Sequence, residues 1–442
     1  MTSARDDDPV GQLEPQEWMA AAATQQVMAA LSADGAEVRF VGGCVRDSVL
    51  KRPIKDVDIA THDPPERVMA LLAQAGIKVI PTGLAHGTVT AIIDKAHFEI
   101  TTLREDVETF GRHARVAFTN DWTADAARRD FTMNAMFADI QGRVYDPFGG
   151  LLDLSEGHVR FVGDAMKRID EDVLRLLRFF RFFAHYGRPA MDGQALTACR
   201  KLAPRLAELS GERVAGELIR LLQAPDPAAV LLVMKSEGIL AHVLPEAGEI
   251  ARLKVLAWLE SRALARPGIA PDPLRRLGCI LVGDRTAILA LGERLKLSAV
   301  QTARIAAIAV PKVAVDDAMT IPAARRALRW VGAGVFRDLV LVAWADRRAR
   351  AAVVNSAETQ RWQGLLDLAD TWQPVQLPVR GADCLDLGLS RGPGIGRALA
   401  LVEQWWEAED YHPDRAACLV KLAQVIKEDH ADTPPRSLHG WC

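Results

Sequence analysis

Asp56 and Asp58 in KDVDIAT stand one residue apart, and their type and spacing could do chemistry. Along a strand, residues i and i+2 point the same way, so the two carboxylates would project together while Val57 and Ile59 pack on the opposite face. Like charges at that spacing repel unless a cation lies between them. Oxygen ligands of this kind suit a hard divalent ion, Mg²⁺ above all, which often shares such carboxylates with substrate phosphates. Taken alone, the pair reads more simply as two acids on a solvent-facing strand edge. The residues upstream change that reading. RFVGGCVRD places an apolar strand, a Gly42-Gly43 turn and then Arg46 at the start of a helix. Glycines let backbone approach a ligand closely, and a helix start beside an arginine attracts polyphosphate. Strand, Gly-Gly turn, helix, strand and paired aspartates form one unit suited to a triphosphate and its metal.

Two later segments carry charge in a pattern. In RRDFTMNAM, Arg128 and Arg129 precede Asp130, an acid placed to cap or open a helix. In EDVLRLLRFFRF, Asp172 and Arg175 stand three apart, neighbours on one face of a helix, and Arg178 and Arg181 extend the stripe. As a surface salt bridge the pair would contribute only about a few tenths of a kcal/mol. Leu174, Leu177, Phe179, Phe180, Phe182 and Phe183 make the rest of the segment apolar, so the charged stripe would border a core and be partly desolvated.

The elements that must position these residues divide the chain. Its 442 residues exceed a comfortable single core, which predicts two to four domains. Residues 1–36 read as an N-terminal helix, with helical apolar spacing over 16–34. From 37 to 150, short β-prone runs (EVRFVGG, DVDIAT, IKVIPT, TVTAIID, HFEITTLR) alternate with turns and helical pieces, an α+β head domain. After that, strand signals nearly vanish. Residues 151–224 form a helical neck, and residues 225–442 a helical body and tail.

Composition sets further bounds. Half the residues are hydrophobic, a quarter charged and the net charge is −3, as in an ordinary globular protein. No apolar run reaches the roughly 18 residues of a membrane span, and the N-terminus lacks the pattern of a signal peptide, which predicts a cytoplasmic protein with no membrane partner. Cysteines 44, 199, 279, 384, 418 and 442 lie far apart with no CxxC pair, so they read as reduced thiols and not as a zinc site. Residues 160–220 hold twelve Arg and Lys against eight Asp and Glu, an excess of four that suits phosphate contacts. Arginine groups at 325–329 and 346–351 would either continue that track or simply face solvent.

GGCVRD…KDVDIAT resembles the signature of the class II tRNA nucleotidyltransferases and bacterial poly(A) polymerases, a branch of the DNA polymerase β-like nucleotidyltransferases. FEITTLRED (98–106), GRHARVAFTNDW (111–122), RRDFTMNAM (128–136) and EDVLRLLRFFRF (171–182) match the family's later motifs in order. GLSRGPGIGRALALVEQWW resembles a C-terminal element of the same proteins. The resemblance implies attack of an RNA 3′-hydroxyl on the α-phosphate of a nucleoside triphosphate, with loss of pyrophosphate. Asp56 and Asp58 would hold Mg²⁺, with Glu99 as the candidate third carboxylate; Gly43, Arg46 and Arg129 would contact the triphosphate. Asp172, Arg175, Arg178 and Arg181 would form the nucleotide-selecting helix.

An Asp-Arg pair offers a physical basis for selection. Cytosine and adenine each present an amino donor beside a ring-nitrogen acceptor, so Asp172 accepts from one while Arg175 donates to the other. Uracil and guanine place a carbonyl oxygen against the carboxylate, a mismatch that costs about 1–3 kcal/mol. The expected activity is therefore addition of CCA to the 3′ end of tRNA from CTP and ATP. Poly(A) addition is the alternative within the same family, although the chain ends without a basic extension. A catalytically silent RNA-binding relative fits the intact acids and arginines poorly, and a small-molecule nucleotidyltransferase fits the long helical half poorly.

Overall fold

The computed structural model describes residues 8–110, 113–264, 266, 268–350 and 355–431. They form two compact units, Met1–Thr302 and Ala303–Cys442. The first opens on an eight-stranded sheet and becomes helical after residue 150; the second is helical among its described residues. This is the α+β head followed by helices that the sequence pattern predicts.

The sheet is built from β1 (Gly11–Gln12), β2 (Val38–Val41), β3 (Val57–Thr61), β4 (Lys78–Gly83), β5 (Thr88–Ile93), β6 (Ala96–Thr102), β9 (Phe137–Ala138) and β10 (Arg143–Tyr145), in the order β1-β10-β9-β2-β3-β6-β5-β4. β7 (Arg104–Phe110) and β8 (His113–Phe118) form a separate hairpin, and positions 111–112 of the family's loop motif lie outside the described residues. Every named pairing in the large sheet is antiparallel except β3 with β6. That parallel pair is joined by a crossover through the helix Pro65–Gln74 and strands β4 and β5, and it sets Asp58 level with Glu99.

Among the described residues, five α-helices complete the head: α1 (Glu17–Ala20), α2 (Ala22–Leu31), α3 (Gly43–Val49), α4 (Pro65–Gln74) and α5 (Trp122–Ala127). Residues 16–34 are thus two helices, separated at the extended Ala21. The segment before residue 37 is also tied into the head, because β1 pairs with β10 and Val27, Met28 and Leu31 are buried. The centre of the sheet is buried on both faces, with Phe40, Ile59, Ile100 and Phe137 fully covered.

Beyond the head lie α6 (Gly150–Glu156), α7 (Ala165–Glu171), α8 (Leu174–Tyr186), α9 (Gly193–Leu202) and α10 (Gly211–Leu222). α8 buries Leu176, Leu177, Phe179, Phe180 and Phe182. Rings of Phe131 and Phe182 (5.0 Å between centres), Phe131 and Phe161 (4.8 Å) and Phe161 and Phe179 (5.8 Å) fuse this neck to the head. Further along the same unit, Glu260 is fully buried between two guanidinium groups, Arg275 at 2.7 Å and Arg276 at 2.6 Å. Arg276 also donates to the carbonyls of Leu222 and Ala224, which closes the C-terminal end of α10.

In the second unit, Val402, Trp406, Cys418 and Leu422 centre a core made by Pro393–Ala408 and Arg415–Ala431. Gly392 stands at the start of the first of these helices, with Pro393 as its first residue. Arg325 pairs with Asp410, Arg329 with Glu403 and Glu407, and Arg347 with Glu358, so these arginines serve internal ion pairs. Five of the cysteines, Cys44, Cys199, Cys279, Cys384 and Cys418, are free and buried, and Cys442 lies outside the described residues. Among the described residues no helix is long and apolar enough to cross a membrane.

Candidate active site at the junction of head and neck

A cleft of about 490 Å³ opens where the head meets the neck, lined from the head by Gly42, Gly43, Arg46, Asp58, Arg129, Asp130 and Asn134. From the neck come Asp172, Leu174, Arg175, Arg178, Phe182 and Arg213. Five separate stretches of sequence converge there. Of the residues that the motifs single out, the cleft gathers Gly43, Arg46, Asp58, Arg129, Asp172, Arg175 and Arg178.

The head side begins at Gly42, whose φ of 71° and ψ of −118° suit glycine alone and turn β2 sharply into α3. A Cβ there would lie 3.5 Å from Arg129 Nη1 and 3.7 Å from the carbonyl of Asn134. Arg46, nearly buried, is gripped by Asp47 through Nε (3.0 Å) and Nη2 (2.8 Å), while its Nη1 donates to Asn134 Oδ1 at 2.6 Å. Arg129 reaches the cleft from the end of α5, held by Asp125 through Nη2 at 2.8 Å. Arg128 shares Asp125 but does not line the cleft. Burial opposes ionisation of Asp125, yet the two guanidiniums hold it below the usual carboxylate range.

The acidic side is arranged by the sheet. Asp58 and Glu99 stand in register on adjacent parallel strands, so their side chains leave the same face. Burial pushes the Asp58 carboxyl up to about 6, with Glu99 and Asp56 adding like-charge repulsion and Arg129 offsetting part of it. Asp56 is exposed and lies just before β3, because ladder pairing with β6 starts only at Val57 and Phe98. The expectation of two aspartates within one strand therefore holds for Asp58 alone. Neither Asp56 nor Glu99 lines the cleft, and among the described residues no group of three His, Cys, Asp or Glu side chains gathers as a ready-made metal cage. The oxygen-only donors and the raised Asp58 carboxyl still fit a hard cation, which would relieve the repulsion between Asp56, Asp58 and Glu99.

The neck side departs from the sequence reading. EDVLRLLRFFRF is not one helix: α7 ends at Glu171, Asp172 is extended (φ −148°, ψ 104°), and α8 begins at Leu174. The Asp172 carboxylate accepts from the Leu174 N–H at 3.2 Å, the competition by which a short acid starts a new helix. Its ion partner is Arg213 of α10, whose Nη2 reaches the two carboxylate oxygens at 3.0 and 2.8 Å, and not Arg175. Arg175 instead donates to Glu171 (2.5 Å) and to the Arg168 carbonyl (2.9 Å). Arg168, nearly buried, shares Glu171 and also donates to the carbonyls of Arg128 and Arg129, so it rivets α7 to the end of α5.

Arg178 pairs with Asp130 at 2.7 Å through Nε. Although burial opposes the charge, Arg178 holds the Asp130 carboxyl below its ordinary range, helped by the Asn134 amide and the Phe131 N–H. Asp130 thus caps no helix; it is a buried anchor for the neck. Arg181 is not brought into the cleft. It meets Glu217 of α10 at 2.5 Å, with its guanidinium 4.2 Å from the Phe182 ring centre.

Asn134, Arg213 and Phe182 line the site without having been singled out for it. Asn134 lies inside RRDFTMNAM and becomes conspicuous once a partner for the Arg46 guanidinium is sought. Arg213 carries no local signal, being 41 residues from the aspartate that it holds.

Fold and cleft together define a nucleotidyltransferase head joined to a helical neck. Residues 38–160 match the poly A polymerase head domain family, and residues 190–250 match the probable RNA and SrmB-binding site of polymerase A. The chain is 34% identical over 406 residues to the mitochondrial CCA tRNA nucleotidyltransferase 1 of Danio rerio, covering 88% of this chain and 87% of that protein. It is 39% identical over 239 residues to the CCA-adding enzyme of Geobacillus stearothermophilus, covering 52% of this chain and 58% of the relative. The crystal structure of the Bacillus stearothermophilus CCA-adding enzyme in complex with CTP superposes with a TM-score of 0.72 at 28% identity, over 92% of this chain and 97% of that one. The chain belongs to the CCA tRNA nucleotidyltransferase and poly(A) polymerase family.

Proposed function

We propose that the protein adds CCA to the 3′ end of tRNA from CTP and ATP. The observation that carries this reading is the convergence, in one cleft, of Gly42, Gly43, Arg46, Asp58 and Arg129 from the head with Asp172, Arg175 and Arg178 from the neck. That convergence supports a phosphate-binding role for the head residues and a base-reading role for the neck residues.

Arg46 and Arg129 bind the triphosphate, where their charges offset the negative charge that builds on the leaving pyrophosphate. The Gly42 turn admits the phosphates close to backbone. Asp56 and Asp58 would hold Mg²⁺, with Glu99 beside them, and the bound metal would supply polarisation of the α-phosphate and activation of the RNA 3′-hydroxyl. Asp172 accepts from the amino group of cytosine or adenine while Arg175 donates to the adjacent ring nitrogen. The Arg213 guanidinium orients the Asp172 carboxylate, and Arg178 with Asp130 fixes α8 against the head. Uracil and guanine then meet a carboxylate with a carbonyl, a mismatch of about 1–3 kcal/mol. A protein wall acting as template accounts for choosing two bases out of four.

The test is incubation with Mg²⁺, labelled tRNA lacking its CCA end, and the four nucleotides singly and in pairs. CTP with ATP should add three residues and stop, with addition abolished by EDTA. Open-ended A-tailing of any RNA would replace this reading with poly(A) addition.

A further inference from the structure

The triphosphate arginine is held from an unexpected place, the far end of the helix that carries the base-reading residues. Tyr186 is the last residue of α8, and its hydroxyl donates to Asp47 Oδ1 at 3.0 Å. The same oxygen accepts from Arg46 Nε at 3.0 Å, and Asp47 Oδ2 accepts from Arg46 Nη2 at 2.8 Å. The ring also lies under two guanidinium groups, Arg46 at 4.3 Å and Arg52 at 4.5 Å from its centre. An aromatic face attracts such cations, so the ring and the Asp47 carboxylate hold Arg46 from two directions.

The position of Tyr186 is itself fixed. Arg52 donates to the His185 carbonyl at 3.0 Å, and the His185 ring sits 2.8 Å from the Arg220 carbonyl of α10. At the next residue the chain turns out of the helix, and a Cβ on Gly187 would fall 2.4 Å from the Phe183 ring. From Arg175 to Tyr186 the helix rises by about 16 Å, at 1.5 Å per residue. One rigid element therefore sets both the arginine facing the base and, through Asp47, the arginine facing the phosphates.

We propose that Tyr186 is a positioning residue for triphosphate binding, acting on Arg46 through Asp47 and through its ring. The proposal rests on the reading of Arg46 as a phosphate contact given above. It concerns the phosphates and not the base, so it separates binding strength from base choice. Removing the hydroxyl frees Asp47 and Arg46 to leave their bidentate geometry. Both CTP and ATP then bind less well, and discrimination against UTP is unchanged.

The experiment uses the full chain and three variants, Tyr186→Phe, Tyr186→Leu and Arg46→Lys. It measures KM and kcat for CTP and ATP on tRNA lacking its CCA end, inhibition by inorganic tripolyphosphate, the CTP-to-UTP preference, and thermal melting. Tyr186→Phe, which removes one oxygen and keeps the ring, should raise both KM values and the tripolyphosphate inhibition constant about threefold to tenfold, with a smaller fall in kcat. Tyr186→Leu should raise them further. Unchanged tripolyphosphate inhibition in Tyr186→Phe would overturn the proposal, whether or not its melting temperature fell, and so would an altered CTP-to-UTP preference. If Arg46→Lys raises KM and the inhibition constant while Tyr186→Phe raises neither, only the Tyr186 proposal fails. If Arg46→Lys leaves both unchanged, the reading of Arg46 falls first and takes the proposal with it.

Discussion

Replacing Asp172 by Asn tests the proposed reading of the base with almost no change of shape. The native carboxylate receives Arg213 Nη2 at 3.0 and 2.8 Å and the Leu174 N–H at 3.2 Å, so its oxygens are oriented before any nucleotide arrives. Asparagine keeps one acceptor but presents an NH₂ group where the second oxygen stood. Against the amino group of cytosine or adenine, a charge-assisted hydrogen bond becomes a donor facing a donor. That loss is about 1.5–3 kcal/mol, or roughly 10- to 150-fold in kcat/KM for CTP and ATP. Against uracil or guanine the new donor meets a carbonyl, and incorporation should rise. Arg213 loses a partially exposed ion partner, a loss of about 1 kcal/mol or less that leaves the fold intact. Single-nucleotide extension of tRNA lacking its CCA end, with each triphosphate in turn, reads the preference directly. If Asp172→Asn still refused UTP and GTP as strictly as the native protein, Asp172 would not be the acceptor that reads the base.

Three further outcomes are expected. Asp58→Asn should abolish addition and yet stabilise the metal-free protein near pH 7.5, because burial and Glu99 push the native carboxyl up to about 6. A raised carboxyl penalises the folded state above its folded pKa and not below its unfolded one, so the gain, at most about 3 kcal/mol before solvent screening, should vanish near pH 4 in thermal melts. Gly42→Ala puts a Cβ on a backbone with φ of 71° and ψ of −118°, 3.5 Å from Arg129 Nη1. It should cost about 1–3 kcal/mol in urea denaturation and raise KM for CTP and ATP, and native stability with native KM would show that the turn tolerates a side chain. Glu260→Gln leaves Arg276, fully buried, without its anionic partner. A loss of about 3–5 kcal/mol is expected in denaturant melts, and a loss below about 1 kcal/mol would mean that the triad does not hold the end of α10.

The sequence by itself determined the plan of this protein. Alternating apolar residues mark most of the large sheet, and the two short strands at 11–12 and 137–138 escaped notice because two residues carry no period. The cleft lining was legible wherever it is local: the Gly-Gly turn, Arg46 and Asp58 follow one another within seventeen residues, and all of them line the cleft. The one-helix reading of EDVLRLLRFFRF failed for a physical reason. Its apolar spacing is helical throughout, but Asp172 bonds its own backbone neighbour, and Arg213 rewards it for leaving the helix.

Only the tertiary structure decided which charges meet. Arginine outlines in a sequence do not say whether a guanidinium faces RNA, a nucleotide or a buried acid. Here Arg178 goes to Asp130, Arg181 to Glu217 and Asp172 to Arg213, pairs separated by 36 to 48 residues. Ion pairing acts through space at a few ångströms, whereas periodicity records only which face of an element is apolar. The sequence could therefore nominate the charged residues of the cleft, and the fold alone could assign their partners.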